Sequence, residues 1–205
     1  LQPVFDIPEY LIPRMVTSVK EIEEWMQQES LVLKTPWSSS GKGILMTGRG
    51  KMQAGELAWV QGALKKQGYL MVEPHLDKIL DFALEFEIVS PQEIIYTGIS
   101  VFNTTEKGQY KGNLIASREQ LQQKITSLSG AGAFGKLQKE TQRILLGYYG
   151  EKYRGPVGVD MMVYREEGKT LLQLCIEDNL RYNMGILCIR LAERYVAGGS
   201  SGQFF

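Results

Sequence analysis

The most specific pattern in this 205-residue sequence is the run Cys175-Ile176-Glu177-Asp178-Asn179-Leu180-Arg181. It extends an apolar segment that predicts a β-strand, and the side chains of a strand point alternately to its two faces. Glu177, Asn179 and Arg181 are therefore expected on one face of a sheet. A carboxylate, an amide oxygen and a guanidinium in this order suit a hard divalent cation that lies beside an anionic group.

A second acid, Asp160, is expected to share that face. It lies in a strand predicted at residues 157–164, which turns at residues 166–168 into the strand that carries Glu177. Asp160, Glu177 and Asn179 are then candidate ligands for Mg²⁺, because magnesium keeps few protein ligands and takes the others from phosphates and water. The alternative is a polar sheet face held by cross-strand salt bridges.

A lysine followed by a serine- and glycine-rich loop forms the second pattern. Lys34 ends an apolar strand, and the loop that follows contains Ser40, Gly41, Lys42 and Gly43. A fixed positive charge and glycine backbone N–H groups suit a polyphosphate. The loop is not a Walker loop, which needs a hydroxyl where Gly43 stands. The alternative is an exposed β-hairpin.

The third pattern is the strand exit Val72-Glu73-Pro74-His75-Leu76. A strand that stops at a proline leaves backbone groups unpaired, and these groups could bond the edge of an adenine. His75 is the only histidine in the sequence. With no second ligand or acid close to it in sequence, it is expected to be structural rather than catalytic. The alternative for the segment is an ordinary strand exit.

Hydrophobic periodicity predicts an α+β protein, because helices and strands do not strictly alternate. A capping box at Ser18 and Glu21 opens the first helix, Gly68 closes the second, and residues 198–202 are expected to form a flexible tail. The expected helices are 18–29, 53–67, 118–128, 136–149 and 184–196. The expected strands are 31–34, 44–47, 69–72, 82–89, 94–102, 109–116, 157–164 and 171–176.

Composition excludes several classes of protein. Twenty-three basic and 23 acidic residues give a net charge of zero, which does not favour a nucleic-acid partner. Apolar runs are too short to span a bilayer, and no secretory leader is evident. Cys175 and Cys188 lack metal-ligand spacing, so we expect both to pack as small buried groups in a reducing cytoplasm. Because the chain begins at Leu1, we expect that a preceding piece is missing.

Two glycine-rich stretches are set aside. Residues 130–135 match a dinucleotide fingerprint, but a helix precedes them where that fingerprint needs a strand. Residues 48–50, Gly-Arg-Gly, are interpreted as a turn.

The three main patterns, in this order, resemble the ATP-grasp superfamily from about Pro13 to Ala197. The resemblance implies an α+β ATP-grasp fold with the nucleotide cleft between two lobes, at residues 1–72 and 73–205. The resemblance implies that the phosphates are bound by Lys34 and by the loop that contains Ser40, Gly41, Lys42 and Gly43. It implies that the adenine is bound by Glu73, His75 and Leu76, and the ribose by either Asp81 or Glu85. It also implies that Mg²⁺ is bound by Asp160, Glu177 and Asn179, and an anionic substrate or intermediate by Arg181.

The function that this resemblance implies is an ATP- and Mg²⁺-dependent ligase. It would activate a small carboxylate as an acyl phosphate for attack by an amine or another nucleophile, and a homodimer is a further expectation. The alternatives are a phosphotransferase, a nucleotide-binding module without turnover and a plain interaction domain. Two departures from the family are Asp178, which replaces an apolar residue and needs a polar partner, and the lack of the α/β domain that normally precedes this one.

Overall fold

The computed structural model describes residues 5, 7–38, 43–129, 134–197 and 199–205. Its contacts divide the chain into two compact units, each with its own sheet. The smaller unit comprises Asp6–Leu76 and Thr104–Tyr110, and the larger one consists mainly of Asp77–Asn103 and Lys111–Phe205. The lobe boundary expected after residue 72 stays a prediction. Three predicted phosphate-binding residues lie outside the described residues: Ser40, Gly41 and Lys42.

The smaller unit packs two helices and a short 3-10 helix (Glu9–Leu11) with a four-stranded antiparallel sheet of order β1-β4-β2-β3. Its strands are β1 (Arg14–Val16), β2 (Leu31–Lys34), β3 (Ile44–Thr47) and β4 (Leu70–Pro74). Its helices are α1 (Val19–Met26) and α2 (Ala54–Gln67).

Helix α1 begins as the sequence predicts. The Ser18 hydroxyl accepts from the Glu21 N–H at 3.3 Å, and the Glu21 carboxylate accepts from the Ser18 N–H at the same distance. This capping box satisfies two backbone donors that the first turn would otherwise leave free. Ile22 and Met26, one turn apart, are fully buried against Leu31 and other apolar side chains. Helix α2 ends at Gly68, which has the expected left-handed conformation, with φ of 85°.

The larger unit contains a six-stranded sheet of order β10-β7-β6-β5-β8-β9, with β5 antiparallel to β6 and β8, and β8 antiparallel to β9. The strands are β5 (Asp77–Ser90), β6 (Glu93–Thr104), β7 (Tyr110–Ile115), β8 (Gly155–Glu166), β9 (Lys169–Asn179) and β10 (Gly202–Phe204). The helices are α3 (Arg118–Ser129), α4 (Phe134–Tyr149) and α5 (Met184–Tyr195).

The two faces of strand β5 differ in chemistry. Phe82, Leu84 and Phe86 point to one face and are fully buried, as period-two alternation requires. Asp81 and Glu85 point to the other face. Helix α5 lies on this second face, because a Cβ added at Gly185 would overlap the Glu85 carboxylate. The α+β architecture predicted from the sequence is confirmed.

Two local predictions were wrong. Gly202 is not part of a flexible tail, because it begins β10, which pairs with the edge of β7. The N–H and C=O groups along a sheet edge can hydrogen-bond to a further strand. Cys175 is exposed, because it lies on β9, the last strand of the sheet, whereas Cys188 is buried as expected. Within the described residues, no helix is long and apolar enough to cross a bilayer.

The capping box generates a stability prediction. Replacing Ser18 by alanine should lower the free energy of unfolding of the smaller unit by about 1 kcal/mol, because the Glu21 N–H loses its acceptor, whereas Ser18→Asp should retain the cap. All three tryptophans, Trp25, Trp37 and Trp59, lie in this unit, so urea unfolding followed by their fluorescence reports on it. Lys20→Ala, at an exposed position of the same helix, is the control; equal losses would contradict the assignment.

Candidate functional site

The larger unit brings Asp160, Glu177, Asn179 and Arg181 together at the junction of β8 and β9. Asp160 and Glu177 are direct cross-strand partners. The Asn179 side-chain amide donates to Asp160 Oδ2 at 3.1 Å, and its oxygen Oδ1 accepts from Arg181 Nη2 at 2.8 Å. One asparagine side chain therefore connects an acid on the neighbouring strand with the guanidinium that follows its own strand.

The backbone explains this arrangement. Asn179 is opposite Gly158 in the β8–β9 register, so no side chain on β8 occupies the space beside it. Glu85 is opposite Gly158 on the other side, in β5. A Cβ at Gly158 would lie only 2.5 Å from the Glu85 and Asn183 side chains, so glycine is required there by close approach. The ladder is irregular directly after Asp160, as at many functional sites.

The cluster concentrates negative charge. Burial, followed by the neighbouring carboxylates of Glu85, Glu177 and Asp81, raises the pKa of Asp160 to about 7, against the opposing hydrogen bond from Asn179. A carboxyl group that resists ionisation near neutral pH marks a place where a cation would be favoured.

Glu85 is the most deeply placed of these acids, at 1% exposure. Its two oxygens accept from the Ser100 hydroxyl at 3.1 Å and from the Asn183 amide at 2.8 Å. Burial raises its pKa, while these two hydrogen bonds and the charge of Arg181 act in the opposite direction. Asp81, the other acid considered for ribose, is 8% exposed and pairs with Lys78 at 2.7 Å.

Asn183 is a member of this network that the sequence analysis missed. Its Oδ1 accepts from the Ile186 N–H at 2.9 Å and so caps helix α5, while its amide holds Glu85. An asparagine before an apolar helix is a recognisable capping signal. Its contact with a residue 98 positions away has no local signature in the sequence.

Asp178 points away from the cluster, and the structure supplies the polar partner that it needs. The Tyr149 hydroxyl donates to Asp178 Oδ2 at 3.0 Å, and Cys175 Sγ lies 3.7 Å from Oδ1. Burial and, after it, the Asp178 carboxylate raise the pKa of Tyr149 to about 12. Asp178 is therefore a structural acid adjacent to the candidate site.

In the smaller unit, Lys34 and Glu73 form an ion pair. Lys34 Nζ lies 2.7 Å from both oxygens of Glu73, and their side chains are only 21% and 10% exposed. In the β2–β4 register Glu73 is opposite Val32, two residues before Lys34, so the two side chains lie diagonally on one sheet face. Sequence analysis treated these residues as members of separate patterns.

The remaining predicted nucleotide contacts also lie in this unit. The backbone N–H of His75 donates to the Ser30 carbonyl at 2.9 Å, and its side chain is exposed. In the described part of the chain, the N–H of Leu76 has no backbone hydrogen bond. Gly43 closes the loop, since its carbonyl accepts from the Thr35 N–H at 2.8 Å.

The donor set of the larger unit fits magnesium better than a transition metal. Among the described residues, no group of three or more His, Cys, Asp or Glu side chains is placed to hold a metal. Asp160, Glu177 and Asn179 offer two carboxylates and one amide oxygen. Such an incomplete oxygen set suits a cation that takes its other ligands from phosphates and water.

Comparison with known proteins reveals similar folds but no similar sequence. No family model and no curated protein matches the chain. N5-carboxyaminoimidazole synthetase from Staphylococcus aureus, complexed with ADP, is 10% identical with a TM-score of 0.58, over 89% of this chain and 46% of that one. Carboxyaminoimidazole ribonucleotide synthase from Aspergillus clavatus, complexed with ATP, is 16% identical with a TM-score of 0.53, over 89% and 43%.

A pyruvate carboxylase from Rhizobium etli is 13% identical with a TM-score of 0.58, over 88% of this chain and 15% of that one. All three are ATP-grasp enzymes. The chain therefore has the ATP-grasp fold, as the resemblance in its sequence implied. It spans less than half the length of each of these three proteins.

The acid cluster predicts a dependence of stability on pH. Because the pKa of Asp160 is raised from 3.8 to about 7, the folded state binds the proton more tightly than the unfolded one. The associated stability is present below about pH 4 and is lost as the pH rises through about 7. Asp160→Asn should reduce this dependence on pH. Above pH 7 its free energy of unfolding should exceed that of the wild type by about 1–4 kcal/mol, as measured by denaturant unfolding at several pH values. Superimposable profiles would contradict the charge assignment.

The Lys34–Glu73 pair predicts strong coupling. Lys34→Met should lower the free energy of unfolding by about 1–3 kcal/mol, because Glu73 is left nearly buried without its cation. Glu73→Gln in the Lys34→Met background should recover part of the loss, giving a coupling energy of about 0.5–3 kcal/mol in a double-mutant cycle followed by tryptophan fluorescence. Strict additivity of the two single changes would show that the pair does not interact in solution.

Proposed function

We propose that the chain is the ATP-binding part of a ligase that activates a carboxylate as an acyl phosphate for attack by an amine or a similar nucleophile. The observation that carries the proposal is the Asp160–Asn179–Arg181 chain of hydrogen bonds, with Glu177 opposite Asp160. A protein that only needs to hold adenine has no use for two clustered carboxylates, an amide and a guanidinium on one sheet face.

Asp160, Glu177 and Asn179 would hold Mg²⁺, which when bound neutralises charge on the triphosphate. The raised pKa of Asp160 supports this assignment, because burial and the acids around it oppose its ionisation, which a bound cation would favour. Glu85 contributes to that charge but is enclosed by Ser100 and Asn183. We therefore assign Glu85 to support of the cluster and, of the two acids considered for ribose, favour Asp81.

Arg181 is the residue to which we assign the carboxylate substrate. Its guanidinium currently donates to Asn179 Oδ1, the oxygen that Asn179 would offer to a cation. Asn179 cannot serve both partners fully through this oxygen, so a cation ligand would release a planar, exposed guanidinium. The fork of an arginine matches a carboxylate with two parallel hydrogen bonds. Arg181 would then orient the carboxylate for reaction.

Lys34 is proposed to bind a nucleotide phosphate through its ammonium group, and Glu73 fixes the position of that group. The Leu76 N–H is proposed to bond the adenine edge. His75 contributes less than the sequence implied, because its backbone N–H is already bound to Ser30. Gly43, with Ser40, Gly41 and Lys42, remains a proposed phosphate loop.

In the proposed reaction, a carboxylate oxygen attacks the γ-phosphorus of ATP, the bond to the β–γ bridging oxygen breaks, and ADP leaves. The nitrogen lone pair of an amine then attacks the acyl carbon, phosphate leaves, and the nitrogen loses a proton to solvent. The protein's part is positioning and charge stabilisation, which together can supply most of the acceleration. The expected cytoplasmic location and homodimer stay predictions.

Binding of ATP tests the proposal without requiring turnover by a chain shorter than its structural neighbours. Mg-ATP at a hundredfold excess over its Kd should stabilise the wild type by about 2.7 kcal/mol, and removal of Mg²⁺ with EDTA should abolish most of this gain. Glu177→Gln combined with Asn179→Ala should weaken Mg-ATP binding at least tenfold, because two proposed ligands are lost. Calorimetry and thermal unfolding provide the two readouts.

Asp178→Asn is the matched control, because it removes one charge from the same strand at a residue that contacts Tyr149 instead of the cluster. It should leave Mg-ATP binding within about twofold of the wild type. A folded wild type that gains no Mg²⁺-dependent stability, or an equal loss in Asp178→Asn, would contradict the proposed site.

A further inference from the structure

A cavity of about 320 Å³ lies in the larger unit, under helix α5. Strands β6 and β7 and the start of helix α3 form its other walls. Several of the residues that line it are small: Gly98, Ser100, Ala116, Gly185, Cys188 and Ala192. Its volume is in the range at which pockets that bind small molecules begin, about 300 Å³.

The walls and the mouth of the cavity differ in chemistry. Leu114, Leu121, Ile189 and Val196 add larger apolar surfaces to the small residues. The charged residues that line the cavity are Arg118, Glu119 and Glu193. An apolar body with one charged group would match this division between apolar walls and a charged mouth.

Of these three charged groups, Arg118 is the one with hydrogen-bond donors available to a ligand. Its Nη2 donates to the Thr97 carbonyl at 2.9 Å, and its guanidinium lies 5.4 Å from the centre of the Tyr96 ring. In the described part of the chain, no carboxylate oxygen lies within 4.0 Å of this guanidinium. These contacts hold one side of the group and leave other N–H donors for a ligand.

The carboxylates of Glu193 and Glu119 already have partners within the protein. Glu193 pairs with Arg190 at 3.0 Å. The carboxylate of Glu119 is directed to the start of helix α3, where a hydrogen bond from its own backbone N–H, followed by one from Ser117 and by the charge of Arg118, lowers its pKa. Glu119 is fully exposed, so water screens its effect on an anion at the mouth. The charge left to select a ligand is the positive charge of Arg118.

We propose that this cavity binds a small carboxylic acid with a compact, branched apolar body, and that Arg118 holds the carboxylate. The apolar body contacts helix α5, strand β7 and the start of helix α3, at Ala192, Leu114 and Leu121. The inner end of the cavity, at Ser100 and Gly185, touches the Glu85 carboxylate that also acts on Asp160. The acid is therefore assigned the role of an effector that acts on the neighbouring carboxylates through Glu85.

The site is tested with 3-methylbutanoate, its alcohol and its amine, in the absence of nucleotide, by saturation-transfer NMR and calorimetry. The acid should bind at millimolar concentration, and the alcohol and the amine about tenfold or more weakly, because a charge-assisted hydrogen bond is lost. Arg118→Met should lower the affinity for the acid to that for the alcohol, whereas Arg143→Met, at an exposed helical position, should leave the affinity for the acid unchanged. Equal binding of the three compounds, or no binding of the acid to the wild type, overturns the proposal.

Filling the cavity gives an independent arm. Ala192→Phe should abolish acid binding by occupying the space, whereas Leu187→Phe on the exposed side of the same helix should leave it within about twofold. If Ala192→Phe does not fold, the binding measurements on Arg118→Met alone decide whether the proposal holds. Unchanged binding by folded Ala192→Phe overturns the proposal.

The role of the acid is then resolved with Mg-ATP present. The acid should shift the affinity for ATP, and ATP should shift the affinity for the acid by the same factor. An ATP affinity that does not change when the acid is bound overturns the effector role. Because acid binding is measured without nucleotide, failure of this site and failure of the proposed ligase function are separate results.

Discussion

The concentration of carboxylates on one face of an antiparallel sheet is the constraint on which the candidate site depends. Asp160 and Glu177 face each other across β8 and β9, and Glu85 lies two strands away from Glu177 behind Gly158. Like charges in a partly buried place repel, so the sheet keeps them together only through specific donors. Asn179, Asn183 and Ser100 supply these donors, and glycines at 158 and 185 make room for them.

This concentration of carboxylates has opposite effects on stability and on cation binding. Neutral Asp160 favours folding, and ionised Asp160 favours a cation, so the protein is expected to give up stability near neutral pH for binding capacity. The Lys34–Glu73 pair in the smaller unit follows a different design. There the charge is balanced within the fold, and a phosphate would have to share Lys34 with Glu73.

Much of the candidate site could be predicted, because it rests on local geometry. Alternation along β9 and one hairpin suffice to bring Asp160, Glu177 and Asn179 together, and the capping box at Ser18 and the glycine at 68 fix two helix ends. The contacts that escaped prediction are long-range: Lys34 with Glu73, Tyr149 with Asp178, and Asn183 with Glu85. Each joins side chains whose proximity is set by sheet order and helix packing, which periodicity does not encode. The pairing of β10 with β7 was missed for the same reason.

Asp160, Glu177 and Asn179 are proposed to form a divalent-cation site. Paramagnetic broadening by Mn²⁺, in NMR spectra of the chain with ADP bound, tests this site most directly, because broadening falls steeply with distance from the ion. Resonances of residues 158–162 and 176–181, including the Asn179 side-chain amide, should broaden first at substoichiometric Mn²⁺. Early broadening centred on other carboxylates, with these resonances unaffected, would contradict it.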